Sequence, residues 1–369
     1  MDYLGFCVHQ GIKIYEWLRP DTMRTRIQSV INATKLQNKQ EQTPDFRKET
    51  KTEKGWSLLY VLPPGIVQKD FEDRRQYFES YVNGNVDFEQ SGRRLIMNIY
   101  QAKFPAKVPY QFDSGEYSEM LAPLPLGVAM DSTPLVVDLS TLPHMLVGGM
   151  TGYGKTTALI GFTVALLMSG VEVSIIDRKR LDFPQFSKWV DVAMTEKETE
   201  NLLKKSCEQM DERIDELQLA GVQKFQQYKG DMKYKVIIID ELTAIESKKS
   251  QEYIDSLVHL GRAAGISLIL ATQKPSHKVW DGFTEARAML GGRLCYYVAD
   301  STESQVVLGR GNTRGAELPM KPGRAIFNND RDQMIQGYYI DAEKAIAILD
   351  KLPRRENKNE QQVIRKATR

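Results

Sequence analysis

The run Val147-Gly148-Gly149-Met150-Thr151-Gly152-Tyr153-Gly154-Lys155-Thr156-Thr157 contains Gly149-x4-Gly154-Lys155-Thr156, a spacing that leaves a chain few ways to fold. Its glycines let the backbone turn so tightly that successive N–H groups point at one anion, and a helix starting directly behind the loop adds its positive end. Such a loop works only between a strand and a helix. The flanks meet that demand. His144-Met145-Leu146-Val147 is a short apolar run leading in, and Thr157 to Met168 is a helix-length, mostly apolar segment leading out. The chemistry expected of the loop is nucleotide phosphate binding by Gly149, Thr151, Gly152, Tyr153, Gly154, Lys155, Thr156 and Thr157. Lys155 is expected to reach the β- and γ-phosphates and Thr156 to offer its hydroxyl to Mg²⁺, a hard cation that takes oxygen ligands.

From about Leu126 onward, strand-like runs alternate with long helical ones, the pattern of a mostly parallel sheet with helices on both faces. Val171–Ile176, Tyr234–Ile239, Ile266–Leu270 and Arg293–Val298 read as strands. Glu196–Ala220 reads as a long helix whose Leu203, Cys207, Met210, Ile214 and Leu217 form a core-facing stripe. The run Val236-Ile237-Ile238-Ile239 ends in Asp240-Glu241, the arrangement that delivers one carboxylate to a metal shell and a second to the attacking water. A strand beside the phosphate loop is expected to carry this pair, with Asp240 as metal ligand and Glu241 as catalytic base. Leu268–Thr272 ends in Gln273 at the same expected sheet edge, placing it to sense the γ-phosphate or the lytic water. Arg262, in the turn before that strand, is a candidate finger for a neighbouring subunit's site. No Asn-Lys-x-Asp run is present to favour guanine, so ATP with Mg²⁺ is the expected cofactor pair.

Upstream, Gln37–Gly55 is almost wholly polar and reads as a loop or linker. Ser57–Leu62, a helix over Lys69–Val82 ended by Asn83-Gly84, and Leu95–Tyr100 read as a small β-α-β domain. Phe71, Phe78 and Val82 on one face of that helix read as core. The expected divisions are a segment and linker at 1–55, a small α+β domain at 56–125, an ATPase motor at 126–345 and a basic tail at 346–369. Lys and Arg total 50 against 48 Asp and Glu, so any nucleic-acid surface must be a local patch, and Arg287, Arg293, Arg310 and Arg314 are candidates. Cys7, Cys207 and Cys295 are too scattered for a disulfide framework, which fits a cytoplasmic protein. Met1–Leu18 has neither a basic start nor a clean apolar core, so no signal peptide or anchor is expected.

Five ordered stretches carry a resemblance: Pro134–Leu139 with Leu142-Pro143-His144, the phosphate loop, Ile176-Asp177-Arg178-Lys179, Gly261–Ile266, and Ala271-Thr272-Gln273-Lys274-Pro275-Ser276. Together they resemble the motor domain of the FtsK/SpoIIIE DNA translocases over about Leu126–Phe327. The resemblance implies a RecA-like fold, a ring of six subunits, and ATP-driven movement along double-stranded DNA without sequence preference. By motif it implies Lys155 and Thr156 for nucleotide and Mg²⁺, Asp240 and Glu241 as metal-shell and catalytic acids, Gln273 as sensor and Arg262 as arginine finger. Asp177 and Lys179 match a motif expected near the nucleotide or a subunit boundary. Where the family often has Asp-Ser-Arg-Thr, this chain has Glu303-Ser304-Gln305-Val306, leaving Arg287 or Arg293 as candidate replacements for that arginine. The compact form is similar to FtsK-type proteins of conjugative plasmids and integrative elements, implying a coupling ATPase that meets relaxase or transfer-apparatus proteins and reaches the membrane only through partners. A viral or plasmid packaging motor and a nucleotide-gated DNA-binding adaptor with vestigial hydrolysis are the alternative readings.

Overall fold

The computed structural model describes residues 22–101, 104–142, 144–276, 280, 283 and 286–354 of the 369. The amino-terminal Met1–Leu18 segment and most of the basic tail, from 355 on, lie outside the described residues. The chain divides into two compact units, Met1–Phe104 with Met130–Thr133, and Pro105–Ala129 with Pro134–Arg369.

In the first unit, the helix Met23–Ala33 is started by Thr22, whose hydroxyl accepts the Thr25 N–H at 3.3 Å while Thr25 reaches back to the Thr22 N–H. Strands β1 (Asp45–Thr52), β2 (Gly55–Val61), β3 (Asn85–Ser91) and β4 (Arg94–Tyr100) form an antiparallel sheet in the order β1-β2-β4-β3. The β-α-β reading is therefore corrected to two antiparallel hairpins, β1–β2 and β3–β4, joined side by side through β2 and β4, with the helices in the connection from β2 to β3. The stretch read as polar linker contains β1. Its run Asp-Phe-Arg-Lys-Glu-Thr-Lys-Thr is mostly exposed and carries no alternation to betray a strand; it is an edge, and its charges discourage pairing with other chains. The helical stretch breaks into Gln68–Glu72 and Arg75–Val82, the second closed by Asn83 in the left-handed region (φ 51°). Phe71, Phe78 and Phe88 pack with ring centroids 5.6–6.0 Å apart, so these aromatics are core, as their spacing predicts.

The second unit is built on one large mixed sheet. Its strands are β5 (Val108–Pro109), β6 (Pro123–Ala129), β7 (Pro134–Asp138), β8 (Met145–Gly148), β9 (Glu172–Ile176), β10 (Asp191–Ala193), β11 (Lys235–Ile239), β12 (Ile266–Thr272), β13 (Gly292–Tyr296), β14 (Arg324–Asn328) and β15 (Asp332–Tyr339). The order is β10-β9-β11-β12-β8-β13-β14-β15-β6-β7, with β5 joined to β15. The strands from β10 to β13 are parallel, and antiparallel pairing carries the sheet on from β13 to β7. Both faces are buried. Along β11, Val236 and Ile238 enter one apolar cluster with Phe162 and Val164, whereas Ile237 and Ile239 enter another with Leu203, Met210 and Leu257. That two-sided burial is why these strands read as continuous apolar runs. In the long helix Glu196–Leu219, Leu203, Met210 and Leu217 are buried and Cys207 and Ile214 pack beside them, as the stripe predicts.

The strand carrying Asp240 and Glu241 does not lie beside the phosphate-loop strand, as expected from sequence; β12 lies between β11 and β8. Strand order follows from crossovers rather than local pattern, and no residue of β11 could announce it. Among the described residues, no helix is long and apolar enough to cross a membrane.

Candidate functional site

The carboxyl ends of β8, β9, β11 and β12 share one sheet edge. Thr272 sits opposite Gly148 and Ile239 opposite both Ile176 and Leu270, so the phosphate loop, Asp177, Asp240 and Gln273 all begin there. The loop is pinned by Gly149 N–H to Thr272 O at 3.3 Å and Met150 N–H to Tyr297 O at 2.9 Å. Glycine is required at two points. A Cβ on Gly149 would come 2.5 Å from the Tyr296 Cβ, and one on Gly154, which turns at φ +118°, would come 3.2 Å from the Gly323 backbone nitrogen. Lys155–Met168 then runs as a 14-residue helix from Gly154 as its cap.

Lys155 is buried, and its ammonium donates to Asp240 O at 2.6 Å and Asp240 Oδ1 at 2.5 Å, spanning the intervening β12. Asp240 Oδ2 is buried with no hydrogen-bond partner among the described residues. A buried carboxylate oxygen left unspent is costly, and it suits a hard cation. The residues present therefore fit Mg²⁺, which Thr156 and Asp240 would hold. Among the described residues there is no three-residue His/Cys/Asp/Glu cluster that would hold a metal without the nucleotide.

Glu241 is gripped on both oxygens. Oε1 accepts from Thr243 at 2.8 Å and Thr272 at 2.9 Å; Oε2 accepts from the Gln273 N–H at 3.0 Å and Lys179 at 3.1 Å. Burial pushes this carboxyl's pKa upward, but the Thr243, Gln273 and Thr272 hydrogen bonds and the Lys155 charge outweigh it, leaving the net value below the usual glutamate range. The Gln273 side chain accepts from Thr151 Oγ1 at 3.1 Å, tying the end of β12 to the phosphate loop. Lys155, Asp240, Glu241, Gln273 and Thr151 are thus brought together.

Arg262 is not. It is exposed in the turn before the amino end of β12, and the seven-residue strand puts about 20 Å between that end and Gln273, beyond an arginine's reach. Arg287 donates to Gln305 O at 2.8 Å, Arg293 to Val307 O at 2.9 Å and to Arg287 O at 3.0 Å, and Arg314 pairs with Asp332 at 3.2 Å. Those three serve their own fold, whereas Arg310 is exposed.

Sequence reasoning gave no role to Lys179, Thr243 and Thr272 as Glu241's partners. One signal was present: Lys179 follows β9 as Glu241 follows β11, at the same edge of neighbouring strands. Asp177, its motif companion, instead shapes the loop by accepting the N–H groups of Arg180, Asp182 and Phe183 at 2.9, 3.2 and 3.1 Å.

Residues 113–245 match the model of the FtsK/SpoIIIE family. The chain is 30% identical over 257 residues to a DNA translocase FtsK of Lactococcus lactis subsp. cremoris, covering 62% of this chain and 33% of that protein. A second, from Lactococcus lactis subsp. lactis, is 32% identical over 232 residues, covering 56% of this chain and 30% of that protein. The match thus spans about a third of these curated relatives' length. In fold, the chain is similar to the pCW3 conjugation coupling protein TcpA (TM-score 0.64, 23% identity), covering 89% of this chain and 99% of that one. It is also similar to the cytoplasmic domain of the type VII secretion ATPase EccC of Thermomonospora curvata (TM-score 0.53, 22% identity), covering 67% of this chain and 32% of that one. The phosphate loop and the Asp240-Glu241 strand end both lie inside residues 113–245, the stretch that matches the FtsK/SpoIIIE family model.

Proposed function

We propose that this protein is an ATP-driven double-stranded DNA translocase that couples DNA to the transfer apparatus of a mobile element, working as a ring of six subunits. The observation that carries the reading is the bonded set Lys155–Asp240 and Glu241–Gln273–Thr151 at one strand-end edge beside an anion-binding loop. In this reading residues 126–345 are the motor and residues 1–55, 56–125 and 346–369 its accessories. The ring reaches the cytoplasmic face of the membrane through relaxase or transfer-apparatus partners. The likeness to a conjugation coupling protein over nearly its whole length supports a transfer role over a chromosomal one.

Phosphate oxygens arriving at the loop draw the Lys155 ammonium away from Asp240, which frees Asp240 Oδ1 beside the unspent Oδ2. Mg²⁺, when bound, supplies charge neutralisation across the β- and γ-phosphates. Glu241, ionised at neutral pH, leaves part of its hydrogen-bond cage to orient the attacking water and accept its proton. Gln273 reports the γ-phosphate to the loop through Thr151. Arg262 acts on the neighbouring subunit's site, since its own lies across the sheet.

The test is phosphate release with and without duplex or single-stranded DNA. Duplex should raise turnover, and the effect should fall steeply with salt and vary little with sequence, because phosphate contacts carry no sequence information. An assembled oligomer that DNA does not stimulate would contradict the translocase reading; no turnover at all would favour the adaptor.

A further inference from the structure

The phosphate loop forms only one end of a cavity of about 440 Å³. The other end comes from distant segments: Ala106-Lys107, Pro322-Gly323 and the last residues of β15. If the loop takes phosphates, the nucleoside must lie towards that second end. Its most distinctive feature is a cation on an aromatic face. The Lys107 ammonium stands 3.5 Å from the Tyr339 ring centroid, and Tyr339 is 42% exposed, so the ring is held yet open. Tyr339 is fixed in β15, which pairs with β5 immediately after Lys107.

Backbone hydrogen bonds join the two ends. Gly323 N–H donates to Tyr153 O within the phosphate loop at 2.8 Å, and Gly337 N–H donates to Gly323 O at 2.7 Å. A base seated at β15 is therefore in fixed register with phosphates seated at Lys155. Base-edge reading has little to work with. Among the described residues no carboxylate lines the cavity, and the amide of Gln336 is spent on Pro322 O at 2.9 Å and Arg324 at 3.1 Å.

We propose that Lys107 and Tyr339 form the base-binding end of the nucleotide site, holding a purine by stacking on the Tyr339 ring once the Lys107 ammonium that stands 3.5 Å over it swings aside. The proposal rests on the phosphate-site reading of the loop, and the test separates the two. The protein is titrated calorimetrically with Mg-ATP, Mg-GTP and inorganic tripolyphosphate. Stacking of this kind carries roughly a tenfold change in affinity or more when the ring is removed. Tyr339→Ala should weaken ATP by that factor and leave tripolyphosphate unchanged; Tyr339→Phe should restore ATP, and wild type should bind ATP and GTP within a few-fold. Lys155→Ala should weaken ATP and tripolyphosphate together. Equal weakening of both ligands by Tyr339→Ala, or of neither, overturns the base-binding assignment while Lys155→Ala still behaves as stated. Tripolyphosphate binding untouched by Lys155→Ala overturns the phosphate-site reading, and the base assignment with it.

Discussion

At the amino ends of the parallel strands, charged groups are spent inside the fold. Lys235 pairs with Glu172 at 3.2 Å, Arg213 donates to the carbonyls of Ala264 and Gly265 at 3.1 and 3.2 Å, and His144 bridges Val258 O and the Leu268 N–H at 3.0 Å each. At the carboxyl ends the same residue types leave something over. Lys155 and Asp240 pair at 2.5 Å, yet Asp240 Oδ2 has no partner among the described residues, and both lie beside the phosphate loop. A closed polar network stabilises one structure, whereas a network short of one partner is completed by a ligand. Buried charge occurs at both edges and unpartnered polar atoms such as Ser250 Oγ and Trp280 Nε1 occur elsewhere, so what marks the site is an unpartnered carboxylate oxygen beside the phosphate loop.

Arg262 is the sharpest challenge to this division, because it is the one proposed catalytic group on the amino-end edge. Arg262→Ala is expected to lower turnover of the assembled ring by about 10³-fold or more, the scale of a finger acting in trans. Mixed rings of Arg262→Ala and Lys155→Ala subunits should recover activity that neither parent has. Mixed rings as inactive as the parents would return Arg262 to a surface role.

The closed edge makes a smaller, thermodynamic prediction. Burial of His144 lowers its pKa from 6.5 to about 4, outweighing the Val258 hydrogen bond that favours its charged form. As pH falls below the unfolded value the unfolded chain takes up a proton that the folded chain refuses. Stability is therefore lost between about pH 6.5 and 4, by roughly 3 kcal/mol at most from this residue. The urea midpoint should drop across that window, and His144→Gln should flatten the drop. An unchanged slope in His144→Gln would show that the histidine is not held neutral.

How much of this was legible depended on whether the signal was local. Gly149, Gly154 and Lys155 lie within one loop, and Asp240-Glu241 directly follow an apolar strand, so spacing alone marked them. The pairing of Glu241 with Lys179 and Thr272 was hidden, because it depends on β11 lying between β9 and β12. The base end of the cavity was invisible for the same reason, joining Lys107 to Tyr339 across more than half the chain. In the small unit, β1 escaped notice because an exposed edge strand of Lys, Glu and Thr has no apolar face to alternate. The antiparallel strands β14 and β15 were passed over likewise, their apolar residues bounded or interrupted by polar ones such as Asn328 and Gln336.

If the carboxyl-end edge is a hydrolytic site completed by nucleotide and metal, Glu241→Gln must all but abolish hydrolysis while sparing binding. The substitution keeps the size and the Thr243 and Thr272 contacts of Glu241 but removes the charge that holds Lys179 and accepts the water's proton. Single-turnover measurements with radiolabelled Mg-ATP should show bound nucleotide near the wild-type level and a hydrolysis rate lower by about 10²- to 10⁴-fold, the range lost with a general base. Wild-type hydrolysis by Glu241→Gln would contradict a hydrolytic role for this edge.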